Sequence, residues 1–288
     1  MSNLTVKLND GTSMPALAFG SGTALWQQDA AEQVTNAIKA GFRHIDTAQM
    51  YANEESVGAG IAASGVPRSE LYVCTKLDKL PKGQTVRDAL VESLKKLRTD
   101  YVDLFLVHMP NDHADLRQTW KEMEALKEEG LARSIGVSNF QPKHLDVILD
   151  GAKIIPSVNQ IEYHPYLVKA TAPLITYLKK HNIRVVSFGG LAPVTRFKHG
   201  PLDPILERIA ERLSQESGLQ VSTAQVLQAW LRKKDIPCIT TSTKKERLQE
   251  YLDVAKVPAI TDAEEREIDD VGSTAHHRVW ATWIDEEQ

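Results

Sequence analysis

Four residues whose types together can protonate a carbonyl oxygen stand at comparable places in this sequence, each where a short apolar run ends. Asp46 opens the run Asp46-Thr47-Ala48-Gln49-Met50-Tyr51, Lys76 follows Thr75, and His108 follows Val107. A phenol with an ordinary pKa of ~10 is a poor acid at neutral pH unless its anion is stabilised. A nearby ammonium favours the phenolate and lowers that pKa. A carboxylate beside the ammonium keeps it charged and in place, and an imidazole orients the oxygen toward the phenol. Such a set delivers a proton to an oxygen while the carbon bonded to it receives a hydride. Taken singly, a lysine past a strand is usually a solvated rim residue and a tyrosine usually core. Only their convergence points to chemistry.

Convergence requires a scaffold. Apolar runs of strand length alternate with amphipathic runs of helix length. The sequence predicts strand Ala16–Gly20 followed by helix Asp29–Ala40, His44–Asp46 by Glu54–Ala63, Leu71–Thr75 by Val86–Leu97, and Val102–Val107 by Leu116–Glu129. The alternation continues with Ser134–Val137 and Pro142–Leu149, Ser157–Gln160 and Ala172–His181, Arg184–Phe188 and helical material in Asp203–Ser217 and Thr223–Arg232, and Pro237–Ile239 and Lys244–Leu252. Before them, Leu4–Leu8, the turn Asn9-Asp10-Gly11 and an arm ending near Pro15 read as a β-hairpin. Eight βα units in 288 residues favour an α/β fold of the closed (β/α)8 TIM-barrel type over an open doubly wound sheet, in a single domain spanning 1–288. A barrel of this kind carries its active site at the C-terminal ends of its strands, where all four residues fall.

Composition narrows the function classes. With 42% hydrophobic and 25% charged residues the chain matches the globular average and is neither disordered nor collagen-like. A formal net charge of −4 argues against nucleic acid or an anionic membrane as partner. Cys74 and Cys238 are too few for a disulfide scaffold or a thiolate zinc site, and the histidines lack metal-ligand spacing, so no metal is expected. The first residues lack a signal pattern and no apolar run approaches the ~20 residues of a membrane span, so a cytoplasmic location is expected. Gly58-Ala59-Gly60-Ile61-Ala62-Ala63 fits a dinucleotide fingerprint by letter, but it lies inside a helical stretch rather than after a strand, and reads as close helix packing. A lysine on a barrel strand also suits imine chemistry, and a barrel that binds a nucleotide without turnover, reporting redox state to a partner, is a third possibility.

Several runs carry a resemblance. Gly41-Phe42-Arg43-His44-Ile45-Asp46-Thr47-Ala48-Gln49-Met50-Tyr51, Asp103-Leu104-Phe105-Leu106-Val107-His108, Ile135-Gly136-Val137-Ser138-Asn139-Phe140 and Val158-Asn159-Gln160-Ile161-Glu162-Tyr163-His164-Pro165 resemble the aldo-keto reductase family, in order, from about Leu8 to Ala255. The resemblance implies a (β/α)8 barrel and NADPH/NADP+ as cofactor. It implies Asp46, Tyr51, Lys76 and His108 as the catalytic tetrad, with Tyr51 as general acid, acting on a small-molecule carbonyl. The stretch from Thr240 to Leu248, with Phe188 and Leu191-Ala192-Pro193, is most similar to fungal reductases of conjugated polyketones and α-keto amides. An activated carbonyl such as an α-dicarbonyl or an α-keto ester or amide is therefore the expected substrate. No nucleic acid or membrane partner is expected, and the chain is expected to act as a monomer or weak dimer.

By the same resemblance Ser138, Asn139 and Gln160 hold the nicotinamide carboxamide, although Ser and Asn before a helix are also ordinary caps. Phe188 takes the place of a stacking aromatic that is usually Tyr, and Leu191 follows Gly189-Gly190 where Ser-Pro is common. Ser242, Lys244, Lys245 and Arg247 are implied at the adenosine 2′-phosphate, with Thr241 where a lysine is usual. Glu250 is implied near the adenine, with Tyr251 in place of Asn. Trp26, Met109, Arg278 and Trp280 are the expected substrate-pocket residues, the last two on a C-terminal tail lying over the active site. Arg278 is expected to meet a substrate carboxylate or second carbonyl.

Overall fold

The structure, a computed structural model, describes residues 5–286; Leu4, the expected start of the hairpin, lies outside them. A closed barrel of eight parallel strands forms the centre. After the hairpin strands β1 (Thr5–Lys7) and β2 (Ser13–Pro15) come β3 (Leu17–Gly20), β4 (His44–Asp46), β5 (Tyr72–Leu77), β6 (Val102–Val107), β7 (Ala132–Ser138), β8 (Val158–Glu162), β9 (Arg184–Phe188) and β10 (Cys238–Thr240). Neighbours follow chain order, and β10 closes the ring between β9 and β3.

The principal helices outside the barrel are α1 (Ala31–Ala40), α2 (Glu54–Ser64), α3 (Val86–Leu97), α4 (Leu116–Glu128), α5 (Pro142–Leu149) and α6 (Val168–Lys180). The short α7 (Ala192–Thr195) precedes α8 (Asp203–Ser217), α9 (Thr223–Lys233), α10 (Lys245–Asp253) and α11 (Asp262–Gly272), and α12 (Trp283–Glu286) ends the tail.

Strand alternation sorts the side chains into two cores. On β5, Tyr72, Cys74 and Lys76 share one side; Tyr72 and Cys74 join Leu104 and Leu106 of β6, Val158 and Val186 in the cluster inside the barrel. The hairpin closes the bottom of that interior with Val6, Leu8 and a fully buried Met14. Residues of the other parity, such as Ile45, Val73 and Phe105, belong to the larger core between barrel and helices.

The expected ends shift where charge or proline misleads. β5 runs on through Leu77, so Lys76 lies within the strand rather than past it. A lysine normally marks a strand's exit to solvent, but this one is fully buried beside an acid. Helix α6 starts at Val168, four residues before the expected Ala172, and runs through Pro173. Helix α11 was not anticipated: its face is mostly acidic and only a few positions, Ile268 among them, are buried, although Thr261 and Glu264 form a capping box at its start.

The Gly58/Gly60 pair sits within α2 and serves packing, as the sequence indicates. A Cβ at Gly58 would lie 2.3 Å from the Lys96 carbonyl oxygen of α3, and one at Gly60 would lie 2.5 Å from the Ala31 oxygen of α1. Both neighbours are backbone and cannot swing aside. Gly58→Ala is therefore expected to destabilise by roughly 1–3 kcal/mol despite its better helix propensity. Urea unfolding measures this, and an unchanged midpoint would contradict the close approach.

Candidate active site

The barrel rim brings the four residues together. Asp46 is the last residue of β4, Lys76 lies on β5, His108 follows β6, and Tyr51 closes the short 3-10 turn Gln49–Tyr51 beyond β4. Lys76 Nζ donates to Asp46 Oδ1 at 2.6 Å, to the Thr47 carbonyl oxygen at 2.8 Å and to Tyr51 Oη at 3.5 Å. Three donors thus meet three acceptors, which is what a fully buried ammonium requires. Asp46 Oδ2 accepts from Gln160 Nε2 at 2.9 Å, so both carboxylate oxygens are occupied.

Burial works against the Lys76 charge, but Asp46 and Tyr51 outweigh it and hold its pKa above the ordinary lysine value. For Tyr51 the balance corrects the sequence expectation. Burial raises the phenol's pKa, and the lowering by Lys76 is smaller, so the proton is held more tightly than usual. Burial and the Lys76 charge push His108 down to about 3, leaving its imidazole neutral through the ordinary pH range. Its Nδ1 is buried without a partner among the described residues.

Tyr51 is held on several sides. The His108 ring stands edge-on to it with centroids 5.7 Å apart, and Trp26 leans against it at 5.7 Å. A Cβ at Gly22 would come within 3.0 Å of its Cζ. Behind the turn, Asn53 Nδ2 donates to the carbonyl oxygens of Ser21 and Leu25, both at 2.8 Å, and the Ser21 hydroxyl donates to Thr47 Oγ1 at 2.8 Å. Glu54 of α2 accepts from Thr75 and from Ser93, tying β5 to α3. Sequence reading missed Gly22, Asn53 and Glu54. Asn53 and Glu54 lie just past the Asp46–Tyr51 run, and that adjacency was their only signal.

Of the residues implied at the cofactor, Ser138 and Asn139 at the end of β7 and Gln160 within β8 are buried side by side. The Ser138 hydroxyl donates to the Gln160 carbonyl oxygen at 2.8 Å. Asn139 takes a left-handed backbone (φ 63°), donates through Nδ2 to the His108 carbonyl oxygen at 3.1 Å, and leaves Oδ1 buried without a partner among the described residues. The Gln160 amide is engaged by Asp46, which ties it to the Lys76 cluster. Phe188 ends β9 half-buried, and Leu191 is buried before α7.

Around the start of α10, Ser242 Oγ accepts from the Lys244 backbone N–H at 3.1 Å. Lys244, Lys245 and Arg247 are exposed, and among the described residues none has an acid partner. Thr241, at the usual lysine position, turns its hydroxyl inward onto the Gly20 carbonyl oxygen at 2.9 Å. The Glu250 carboxylate accepts from the Ser222 hydroxyl at the start of α9, which directs it toward that helix.

The tail meets the rim at Trp280. Its ring stands edge-on to Phe188 at 5.8 Å, and the Glu162 carboxylate accepts from the backbone N–H groups of Val279 (2.9 Å) and Trp280 (2.8 Å). Met109 lies half-buried with its sulfur 3.3 Å from Asn139 Nδ2. Arg278 is placed differently from expectation. Its Nε donates to Asp285 at 2.9 Å, and its buried side chain lines a small crevice with Gln141, Thr171 and Leu174. A guanidinium already paired within the tail holds the tail together and is not brought to the Tyr51 cluster. Among the described residues no group of His, Cys, Asp and Glu is arranged to hold a metal ion, and no helix is long and apolar enough to cross a membrane.

Comparison with known proteins agrees with this architecture. Residues 16–273 match the model of the aldo/keto reductase family. The chain is 37% identical over 287 residues to an NAD/NADP-dependent indole-3-acetaldehyde reductase of Schizosaccharomyces pombe, covering 96% of this chain and 98% of that protein. It is 38% identical over 253 residues to a glyoxal reductase of Bacillus subtilis, covering 87% and 86% of the two chains. The crystal structure of a Bombyx mori aldo-keto reductase in complex with NADP superposes with a TM-score of 0.84 at 34% identity, covering 99% of this chain and 98% of that one. The chain belongs to the aldo/keto reductase family.

Proposed function

We propose that this protein reduces an aldehyde or ketone to the alcohol with NADPH, Tyr51 acting as the proton donor. The observation that carries the reading is the buried Lys76 ammonium held between the Asp46 carboxylate and the Tyr51 phenol. The same charge speaks against imine chemistry, since an imine-forming lysine must react as the free amine and Asp46 keeps this one protonated.

The residues at the rim fit the cofactor. Asn139 Oδ1 is a buried acceptor without a donor, suited to a carboxamide N–H, with the Ser138 hydroxyl beside it. Phe188 offers a ring face for the nicotinamide. Lys244, Lys245 and Arg247, without acid partners among the described residues, form a basic cluster at a helix start, suited to a phosphate. When bound, NADPH supplies the hydride. The protein's part is to bind the carbonyl oxygen within reach of the Tyr51 hydroxyl, with neutral His108 orienting it. As negative charge gathers on that oxygen, Tyr51 gives up its proton, and Lys76 stabilises the phenolate left behind.

Trp26 packs against Tyr51, Trp280 stands against Phe188 at the rim, Met109 lies beside Asn139, and Arg278 is paired with Asp285 inside the tail. A neutral activated carbonyl, such as an α-dicarbonyl or an α-keto ester or amide, suits that wall better than a carboxylate substrate. The test is loss of NADPH absorbance across aldehydes, α-diketones, α-keto esters and aldoses. Turnover on activated neutral carbonyls is expected, and bound NADPH with no turnover on any of them would overturn the reading. Arg247→Ala should raise KM for NADPH by about 10–100-fold, the loss of one charged hydrogen bond, and leave KM for NADH unchanged. Equal effects on both cofactors would remove Arg247 from the 2′-phosphate.

A further inference from the structure

Strand β8 carries two polar side chains of the same parity to the rim. Gln160 bonds to Asp46, and Glu162, two residues on, shares its face of the strand with a side chain only 1% exposed. A carboxylate so deeply buried needs donors on both oxygens. The backbone of the tail provides them. Oε1 accepts from the Val279 N–H at 2.9 Å and Oε2 from the Trp280 N–H at 2.8 Å, while His164 Nε2 lies 3.2 Å from Oε1. With both oxygens engaged, Glu162 is committed to the tail.

What this fastening seats is the Trp280 ring. Glu162 pairs in register with Phe188 of β9, and Phe188 is the residue that Trp280 meets edge-on. Gly189, which follows, has a left-handed backbone (φ 68°), and a Cβ there would lie 2.7 Å from Trp280 Cζ3 and 3.4 Å from Glu162 Cγ. Any side chain at 189 would therefore take the space the indole fills. Arg196, just past α7, lies over the indole with its guanidinium 4.9 Å from the ring centroid.

We propose that Glu162 is a positioning residue for the cofactor. Its carboxylate latches the tail backbone, the latch seats Trp280 over Gly189 and against Phe188, and the seated indole fixes the Phe188 ring that the nicotinamide uses. The last step rests on the place given to Phe188 in the proposed function. A glutamine of the same shape would release the latch, because one of its two acceptors becomes an N–H donor facing a backbone N–H.

Hydrogen exchange and NADPH release, both on the full chain, test it. In Glu162→Gln the backbone N–H groups of Val279 and Trp280 should exchange about tenfold or more faster than in the wild type, with those of the barrel strands unchanged. NADPH release, followed by its fluorescence in stopped flow, should speed up by about two- to tenfold, the worth of one aromatic pair. Trp280→Ala keeps the latch and removes what it seats, so the N–H of Val279 should stay protected while NADPH release speeds up as in Glu162→Gln. The double variant should release NADPH no faster than either single one, a non-additivity that a general loss of stability would not produce. Unchanged tail exchange in Glu162→Gln would overturn the latch. Faster exchange with unchanged NADPH release, or additive effects in the double variant, would overturn the positioning role. Neither readout requires turnover, so a wild type that binds NADPH but reduces no carbonyl would count against the proposed function alone.

Discussion

Tyr51→Phe should lower kcat/KM for carbonyl reduction by about 10²–10⁴-fold, the usual worth of a positioned general acid. The substitution removes one oxygen and leaves the ring against Gly22, Trp26 and His108, so the fold and NADPH affinity should be unchanged. The expected pH profile follows from the same geometry. In the proposed function the phenol is the working acid, and its pKa is raised, burial exceeding the opposite pull of Lys76. Wild-type reduction should therefore stay level through neutral pH and fall only above the ordinary phenol value of ~10. His108, pushed down to about 3, should add no limb between pH 5 and 8. Initial rates across pH with saturating NADPH measure both. A variant that kept full turnover, or a wild-type profile breaking near pH 6.5 as an ordinary histidine does, would show that another group moves the proton.

How much of this was legible in the sequence depends on how local each signal was. Helix α3 falls on its predicted residues because an amphipathic run follows a Thr85–Asp88 capping box. The tetrad residues were legible as polar residues breaking apolar runs at strand ends. The pattern could not tell that Lys76 lies within β5, because its partner Asp46 is thirty residues away and a lone lysine reads as solvent-facing. Gln160 shows the same limit. The resemblance implies a place for it at the nicotinamide carboxamide, but its bond to Asp46 crosses the barrel, 114 residues along the chain, where no local pattern reaches. Arg278 was misjudged because the acid that engages it, Asp285, lies in a tail with no periodicity to fix its path. Gly22 was invisible for a different reason: its role is the space it leaves beside Tyr51.

That cross-barrel wiring sets the second large effect. In Lys76→Met the Asp46 carboxylate, 2% exposed, keeps its Gln160 bond but loses the ammonium paired with it. Breaking a buried ion pair from one side typically costs ~3–5 kcal/mol, because the remaining charge is left uncompensated. For a chain of this size that corresponds to a fall in melting temperature of about 10 °C. Reduction should be lost as well, since nothing remains to stabilise the Tyr51 phenolate. The two losses have separate causes and should separate in the double variant. Lys76→Met with Asp46→Asn removes both charges, so most of the thermal stability should return while activity stays absent. Calorimetric melting and NADPH oxidation on the three proteins make the comparison. If Lys76→Met melted with the wild type, Asp46 would not be the stranded charge that its burial implies. If the double variant regained activity, the ammonium would not be what Tyr51 depends on.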